Sequence, residues 1–211
     1  MRNCLVICFL LLVNNVFGQF AVIQDRKGYA NIRNSPNISN SIIDTLNNGT
    51  VIFCKARCAN DTTLIEEDSG VDNEGFIHRS KLKFIHRYKK LSESKLSDDG
   101  LRFAREGIEV VIIKTTAEIE DINGEAEVWG AEGKTVSNKY QQVTVILDGV
   151  RLEMPKENLF EPNLKNSKVN YDNKSKTLYI SATNGSGENS YAVLWVVANG
   201  RLKQRIVTSL F

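Results

Sequence analysis

Two histidines and four cysteines are all that the 211 residues hold, and that shortage removes most nucleophile and metal chemistry. A catalytic thiolate needs a histidine base and a third group to orient it, and a closed zinc site needs four ligands from the same small pool. His78 and His86 share one short stretch, and nothing after His86 is either His or Cys. The G-x-S-x-G, H-E-x-x-H and Walker patterns are missing too. So is an excess of one charge: 27 Lys and Arg face 25 Asp and Glu, for a net +2. That balance gives no electrostatic case for nucleic acid. The longest apolar run beyond the N-terminus, Tyr191–Ala198, has eight residues, whereas a membrane-spanning helix needs about 20. The expectation is a protein without catalytic residues, cofactor or metal. Paired carboxylates are the one catalytic device left open, because 25 acids allow many pairs.

What is present begins with an export segment. Arg2 supplies a positive start, Leu5 to Val13 is unbroken apolar sequence, and Val16 and Gly18 place compact residues before Gln19. This is the pattern of a secretory signal peptide, residues 1–18, cleaved after Gly18. The expected location is periplasmic or secreted, with no membrane span after cleavage. Cys4 and Cys8 leave with the signal, so Cys54 and Cys58 remain as a pair. In an oxidising compartment that pair reads first as a disulfide, with two free thiols as the alternative. A zinc site is disfavoured, because His78 and His86 lie outside the usual ligand spacing.

Residues 19–88 read as short strands broken by Gly, Asn and Pro, with no helical period. Asn31-Ile32-Arg33 is extended, Ser35-Pro36-Asn37 is turn chemistry, Ile42 to Leu46 is a strand, and Asn47-Asn48-Gly49 is a turn. Glu74-Gly75-Phe76-Ile77-His78 is a later strand, closed by Leu82 and Phe84. The run Gly28-Tyr29-Ala30-Asn31-Ile32-Arg33, then Pro36, Ile42 to Leu46 and Asn48-Gly49-Thr50, resembles the opening half of a bacterial SH3-like domain. Gly75-Phe76-Ile77-His78 with Leu82 resembles that family's closing strand, with Phe76 where the family commonly has Trp. The resemblance covers residues 20–87 and implies a small bent barrel. It also implies a concave ligand surface edged by Tyr29, Asn31, Arg33, Phe76 and His78.

Residues 89–100 are polar, with Ser92, Ser94, Ser97, Asp98 and Asp99, and read as a linker. Residues 101–211 return to strands. Ile108 to Ile119 is a long β-branched run, and Glu125 to Trp129 is a short alternating one. Asp148-Gly149 and Asn199-Gly200 are type I′ hairpin signals. Seven or eight antiparallel strands make a β-sandwich or a strongly curled sheet. Val128-Trp129-Gly130, Tyr171-Asp172 with Leu178 to Ser181, and Tyr191 to Trp195 leading into Asn199-Gly200 resemble an uncharacterised exported bacterial all-β family, which implies no chemistry. The fold class expected overall is all-β.

Three further groups stand out. Glu66, Glu67, Asp68, Asp72 and Glu74 form an acidic loop whose order does not match a calcium-binding loop. Arg79, Lys81 and Lys83 open a basic stretch, and Arg201, Lys203 and Arg205 alternate along the last strand, where period two would place them on one face. Together these six read as a basic surface. Trp195 lies inside an apolar strand and reads as core, while Tyr179 reads as the best exposed aromatic. The combined expectation is an exported, non-catalytic binding protein of the cell envelope. Its SH3-like module would take a peptide, a cell-wall fragment or a partner protein. A regulatory subunit for a separate enzyme is the alternative, and a carboxylate hydrolase is the third reading.

Overall fold

The computed structural model describes the chain apart from residues 1–17, 38, 40, 67–73, 119–120, 123–127 and 132–135. The export segment through residue 17 and most of the acidic loop therefore lie outside the described residues, as does the greater part of the 125–129 strand. The rest is all-β and antiparallel, in three sheets.

The first unit is one seven-stranded sheet. Its strands are β1 (Gln19–Ile23), β2 (Tyr29–Arg33), β3 (Ile42–Asn47), β4 (Val51–Arg57), β5 (Thr62–Glu66), β6 (Glu74–His78) and β7 (Leu82–Phe84). Their spatial order is β3-β2-β6-β5-β4-β1-β7. The expected barrel does not close, because β3 and β7 remain the two edges. Closure would need β7 to reach β3. Instead β7 stops after three residues at a one-turn helix, Ile85–Arg87, that leads the chain into the second unit. Ala21, Ile23, Ala30, Ile32, Ile52, Cys54, Ile65 and Ile77 fill the concave side of the curled sheet.

The second unit is a sandwich of two five-stranded sheets. One holds β9 (Ser92–Ser97), β10 (Gly100–Arg105), β11 (Ile108–Thr116), β12 (Asn138–Leu147) and β13 (Val150–Glu153). The other holds β8 (Lys89–Lys90), β14 (Lys168–Asp172), β15 (Thr177–Asn184), β16 (Tyr191–Ala198) and β17 (Arg201–Ser209). Phe103, Val110, Ile112, Val143 and Val145 of one meet Leu178, Ile180, Tyr191, Val193 and Trp195 of the other. The two-residue hairpins form as expected: Asp148 and Gly149 have φ of 48° and 83°, Asn199 and Gly200 of 53° and 68°. Positive φ at both central residues matches the right-handed twist of the flanking strands.

Residues 89–100 are not a linker. Lys89-Lys90 pairs with β14, Leu91 is buried in the sandwich core, and Ser92–Ser97 pairs with β10. The polar composition belongs to an edge strand whose six residues are all exposed, and charge and polarity on an edge deter pairing with other chains. No spacer separates the two units.

The units are joined through the back of the curled sheet. On β1, Ala21 and Ile23 face its concave core, while Phe20 and Val22 face the other way. On β4, Ile52 and Cys54 face in, and Val51 and Phe53 face out. These outward residues, with Ile85 and Tyr88, pack on Tyr179, Ala192, Leu194, Val196 and Ile206 of the sandwich. β16 is therefore covered on both sides, and its first seven residues are all buried. A strand buried on both faces reads as continuous apolar sequence, which explains the Tyr191–Ala198 run. Tyr179 is accordingly not exposed. Alternation places it opposite Leu178 and Ile180, but the first unit covers that face, and its ring stacks on Tyr88 with centroids 5.3 Å apart. Trp195 is core, fully buried, with its indole N–H donating to the Pro155 carbonyl at 2.7 Å.

This junction predicts cooperative unfolding of both units. Leu194→Ala should cost about 2–5 kcal/mol, the range for emptying a buried leucine site. Trp fluorescence, which reports the sandwich, and chemical labelling of Cys54, which reports the first unit, should give coincident denaturation curves in parent and variant. Two separated transitions would show that the units fold independently.

Candidate functional site

Strands β2 and β6 lie side by side, with Arg33 opposite Phe76. Ala30 and Ile32 of β2 and Ile77 of β6 point into the concave core. The period of two then turns Tyr29, Asn31, Arg33, Phe76 and His78 to the outer face. All five line one groove of about 350 Å³, together with Asp25, Lys27, Pro36, Ser80 and Lys81. The close approach of β2 and β6 depends on Gly75, where an added Cβ would lie 2.2 Å from Ile32 Cγ2.

The end of the groove is held by turns. Asn48 clips the β1–β2 turn to the β3–β4 turn: its Oδ1 accepts from the Asp25 N–H at 2.9 Å and its Nδ2 donates to the Asp25 carbonyl at 2.8 Å. Gly28, at φ 87°, completes the first turn, a conformation that costs glycine little. Asp25 accepts from the Lys27 N–H at 2.9 Å and pairs with Lys81 Nζ at 2.6 Å. The Lys81 hydrogen bond, helped by the Lys27 N–H, holds the Asp25 carboxyl below its ordinary range. Its contribution to stability is present above the unfolded carboxyl value and is lost as pH falls through the lowered one.

Each lining group has a definable capacity. Tyr29 is 41% exposed and offers an aromatic face with a phenol at its tip. Arg33 carries a planar fork that matches a carboxylate. His78 Nδ1 accepts from the Ser80 N–H at 3.2 Å, which puts the ring hydrogen on Nε2 as a donor. Lys27, Arg33 and Lys81 bring positive charge against the single carboxylate of Asp25. The groove thus combines two aromatic side chains, Tyr29 and Phe76, with three cationic ones. Asp25, Lys27 and Ser80 are members that strand alternation does not reveal. The turn sequence Asp25 to Gly28 is the local signal for the first two.

The expected basic surface does not form as one patch. Arg79 lies over the Phe84 ring at 4.5 Å and near Asp61 at 3.8 Å. Lys81 belongs to the groove, and Lys83 sits over Tyr88 at 3.8 Å. On β17 a bulge leaves Lys203 between the Val197↔Leu202 and Val196↔Gln204 pairs. One extra residue reverses facing in a strand. Arg205 therefore lies opposite Trp195, on the sandwich-core side, and donates to the Glu157 carbonyl at 2.9 Å, while Arg201 and Lys203 stay exposed.

The expected Cys54–Cys58 bridge is also absent, and both thiols are free. Cys54 to Arg57 is extended strand, so four residues at about 3.3 Å each separate the two Cα atoms by over about 10 Å. A disulfide tolerates no more than about 7 Å. The acids at the ends of the 66–74 segment are engaged by one lysine, Lys55, at 2.9 Å from Glu66 and 2.7 Å from Glu74.

A larger cleft of about 670 Å³ opens at one end of the sandwich, and three of its four charged side chains, all but Lys165, are engaged within the protein. Glu161 accepts from the backbone N–H groups of Ser137 and Asn138, Lys114 pairs with Asp99 at 3.5 Å, and Asp98 pairs with Lys95. Among the described residues no group of three His, Cys, Asp or Glu side chains is placed to hold a metal, and no helix is long and apolar enough to cross a membrane. In comparisons with protein-family models, curated proteins and solved structures, nothing matches this chain.

The two cysteines should differ sharply in reactivity. Burial pushes the Cys54 thiol up to about 12, and the thiolate is the reactive form. Native protein should therefore take up one equivalent of a thiol reagent promptly, at Cys58, and a second only on unfolding. Peptide mapping that shows both sites alkylated at the same rate would contradict this core. Gly75→Ala should in turn lower the melting temperature by forcing Ile32 away from β6.

Proposed function

We propose that the protein is an exported, non-catalytic binding module of the cell envelope, whose β2–β6 groove takes a short peptide bearing a carboxylate, such as a cell-wall stem. The reading rests on one observation: Tyr29, Asn31, Arg33, Phe76 and His78 converge on a single groove. Peptide stems present carboxylates, amides and short apolar side chains. Arg33 complements the first, Asn31 and the His78 ring N–H the second, and the Tyr29 and Phe76 faces the third. Export draws support from the N-terminal pattern and from the start of β1 at Gln19, directly after the expected cleavage point. An SH3-like relationship is part of the same proposal, carried by the residues quoted from β2 and β6.

The test is retention on purified cell-wall sacculi and on a carboxylate-terminated stem peptide. Tyr29→Ala combined with Arg33→Ala should abolish retention while leaving the melting temperature nearly unchanged, since Tyr29 is exposed and both side chains leave the core. Retention equal to the parent's would move the site elsewhere. A parent that binds neither ligand would favour the alternative of a partner protein.

A further inference from the structure

A second groove, of about 240 Å³, lies where the two units meet, at the rim of the apolar junction. Its floor is the face of the β14–β15 pair that carries Tyr179. Along β15 that face passes from Tyr179, which is under the first unit, to Ser181 and Thr183, which line the groove. Lys168 is the cross-strand partner of Ser181 and so stands on the same side of the sheet. The first unit supplies the opposite wall with Phe20, Ile85 and His86. The His86 ring is fixed by stacking on Phe84, with centroids 5.8 Å apart and planes at 24°.

The chemistry of this lining is one-sided. Lys168 and His86 are its ionisable side chains, Gln19, Asn166 and Asn170 add amides, and Ser181 and Thr183 add two hydroxyls. With the export segment removed after Gly18, the α-amino group of Gln19 joins them. No carboxylate lines it, and among the described residues no Asp or Glu forms an ion pair with Lys168. The charged groups acting on His86 are Arg87 from its own turn and Lys168 from β14, both cationic. Burial, followed by these two charges, holds the imidazole below its ordinary value. Lys168 makes the groove a positive, donor-rich recess, and among the described residues no carboxylate stands in its lining.

We propose that this junction groove is a binding site for a phosphate-type oxyanion, held between Lys168 and His86. The donors come from two units and several directions: the ammonium and hydroxyls from the floor, the imidazole from the wall. A tetrahedral anion with three or more acceptor oxygens can use them together, whereas a planar carboxylate has only two oxygens to offer. Each unit alone lacks half of the site, so occupancy requires the docked arrangement. The site is independent of the β2–β6 groove and shares no lining residue with it.

The experiment is a proton NMR titration of the purified protein, following the His86 imidazole resonances, assigned with a His86→Gln variant. It is run at constant ionic strength with chloride, then with inorganic phosphate, then with acetate. Phosphate should raise the apparent His86 pKa by roughly one pH unit, the scale of an opposite charge within about 4–6 Å. Lys168→Ala should raise the His86 value without added phosphate, because a like charge is removed, and should abolish the phosphate response. Lys168 is exposed, so this variant should keep the parent's melting temperature. Lys168→Arg should retain the response. An imidazole unmoved by phosphate, or an unchanged response in Lys168→Ala, would overturn the site. An equal response to acetate would overturn its assignment to phosphate.

Discussion

The burial of β16 on both faces is the constraint from which most of the architecture follows. Tyr191, Val193, Trp195 and Val197 point into the sandwich, and Ala192, Leu194 and Val196 point into the junction with the first unit. Either face left bare would expose a contiguous apolar surface, which soluble proteins cover. Each large side chain so buried contributes about 1.5–3 kcal/mol relative to exposure. A linker between the units would gain nothing, because the junction requires them in fixed contact. The chain accordingly passes from Tyr88, inside the junction, to Leu91, inside the sandwich, within three residues.

The same constraint decides where the first unit has surface to spare. β1 and β4 spend their concave sides on the unit's own core and their outer sides on the sandwich. β2 and β6 lie on the other flank of the sheet, and only their inward residues are committed to packing. Their outer face is what remains for recognition, and there the sequence places two aromatics, an arginine, an amide and an imidazole. Packing thus removes the alternatives before the chemistry of the groove is considered.

The SH3-like resemblance picks out the groove residues in the sequence, and strand alternation accounts for their sharing one face. Ala30 and Ile32 set against Tyr29, Asn31 and Arg33 is a two-residue period whose apolar half must face a core. Ile77 between Phe76 and His78 repeats it. For Tyr179 the limit is that alternation says which residues share a face, not what lies over that face. Tyr179 has the alternation of a solvent-facing residue within the second unit, and the first unit covers that face. The parity argument for Arg201, Lys203 and Arg205 held only for an unbroken ladder, and the bulge at Lys203 has no sequence signature of its own. Cys54 and Cys58 read as a bridge because export leaves them as a pair, but pairing by number says nothing of the extended backbone that separates them. The polar 89–100 stretch looked like a linker because an exposed edge strand and a linker have the same composition.

The basic stretch from Arg79 to Lys90 shows how a folded chain divides a run of like charge. Lys81 neutralises Asp25 in the β2–β6 groove, while Arg79 and Lys83 lie over Phe84 and Tyr88. Stacking a cation on an aromatic face is worth about 0.5–2 kcal/mol. His86, between these residues in sequence, is the member turned toward Lys168 across the junction. When His86 is protonated its charge and that of Lys168 oppose docking, and the apolar cluster outweighs them. An anion bound between the two would remove that opposition. Because it would bind only the docked form, it would stabilise that form in proportion to RT ln(1 + [L]/Kd). The proposed oxyanion site and the apolar junction therefore act on the same equilibrium, the first adjusting what the second establishes.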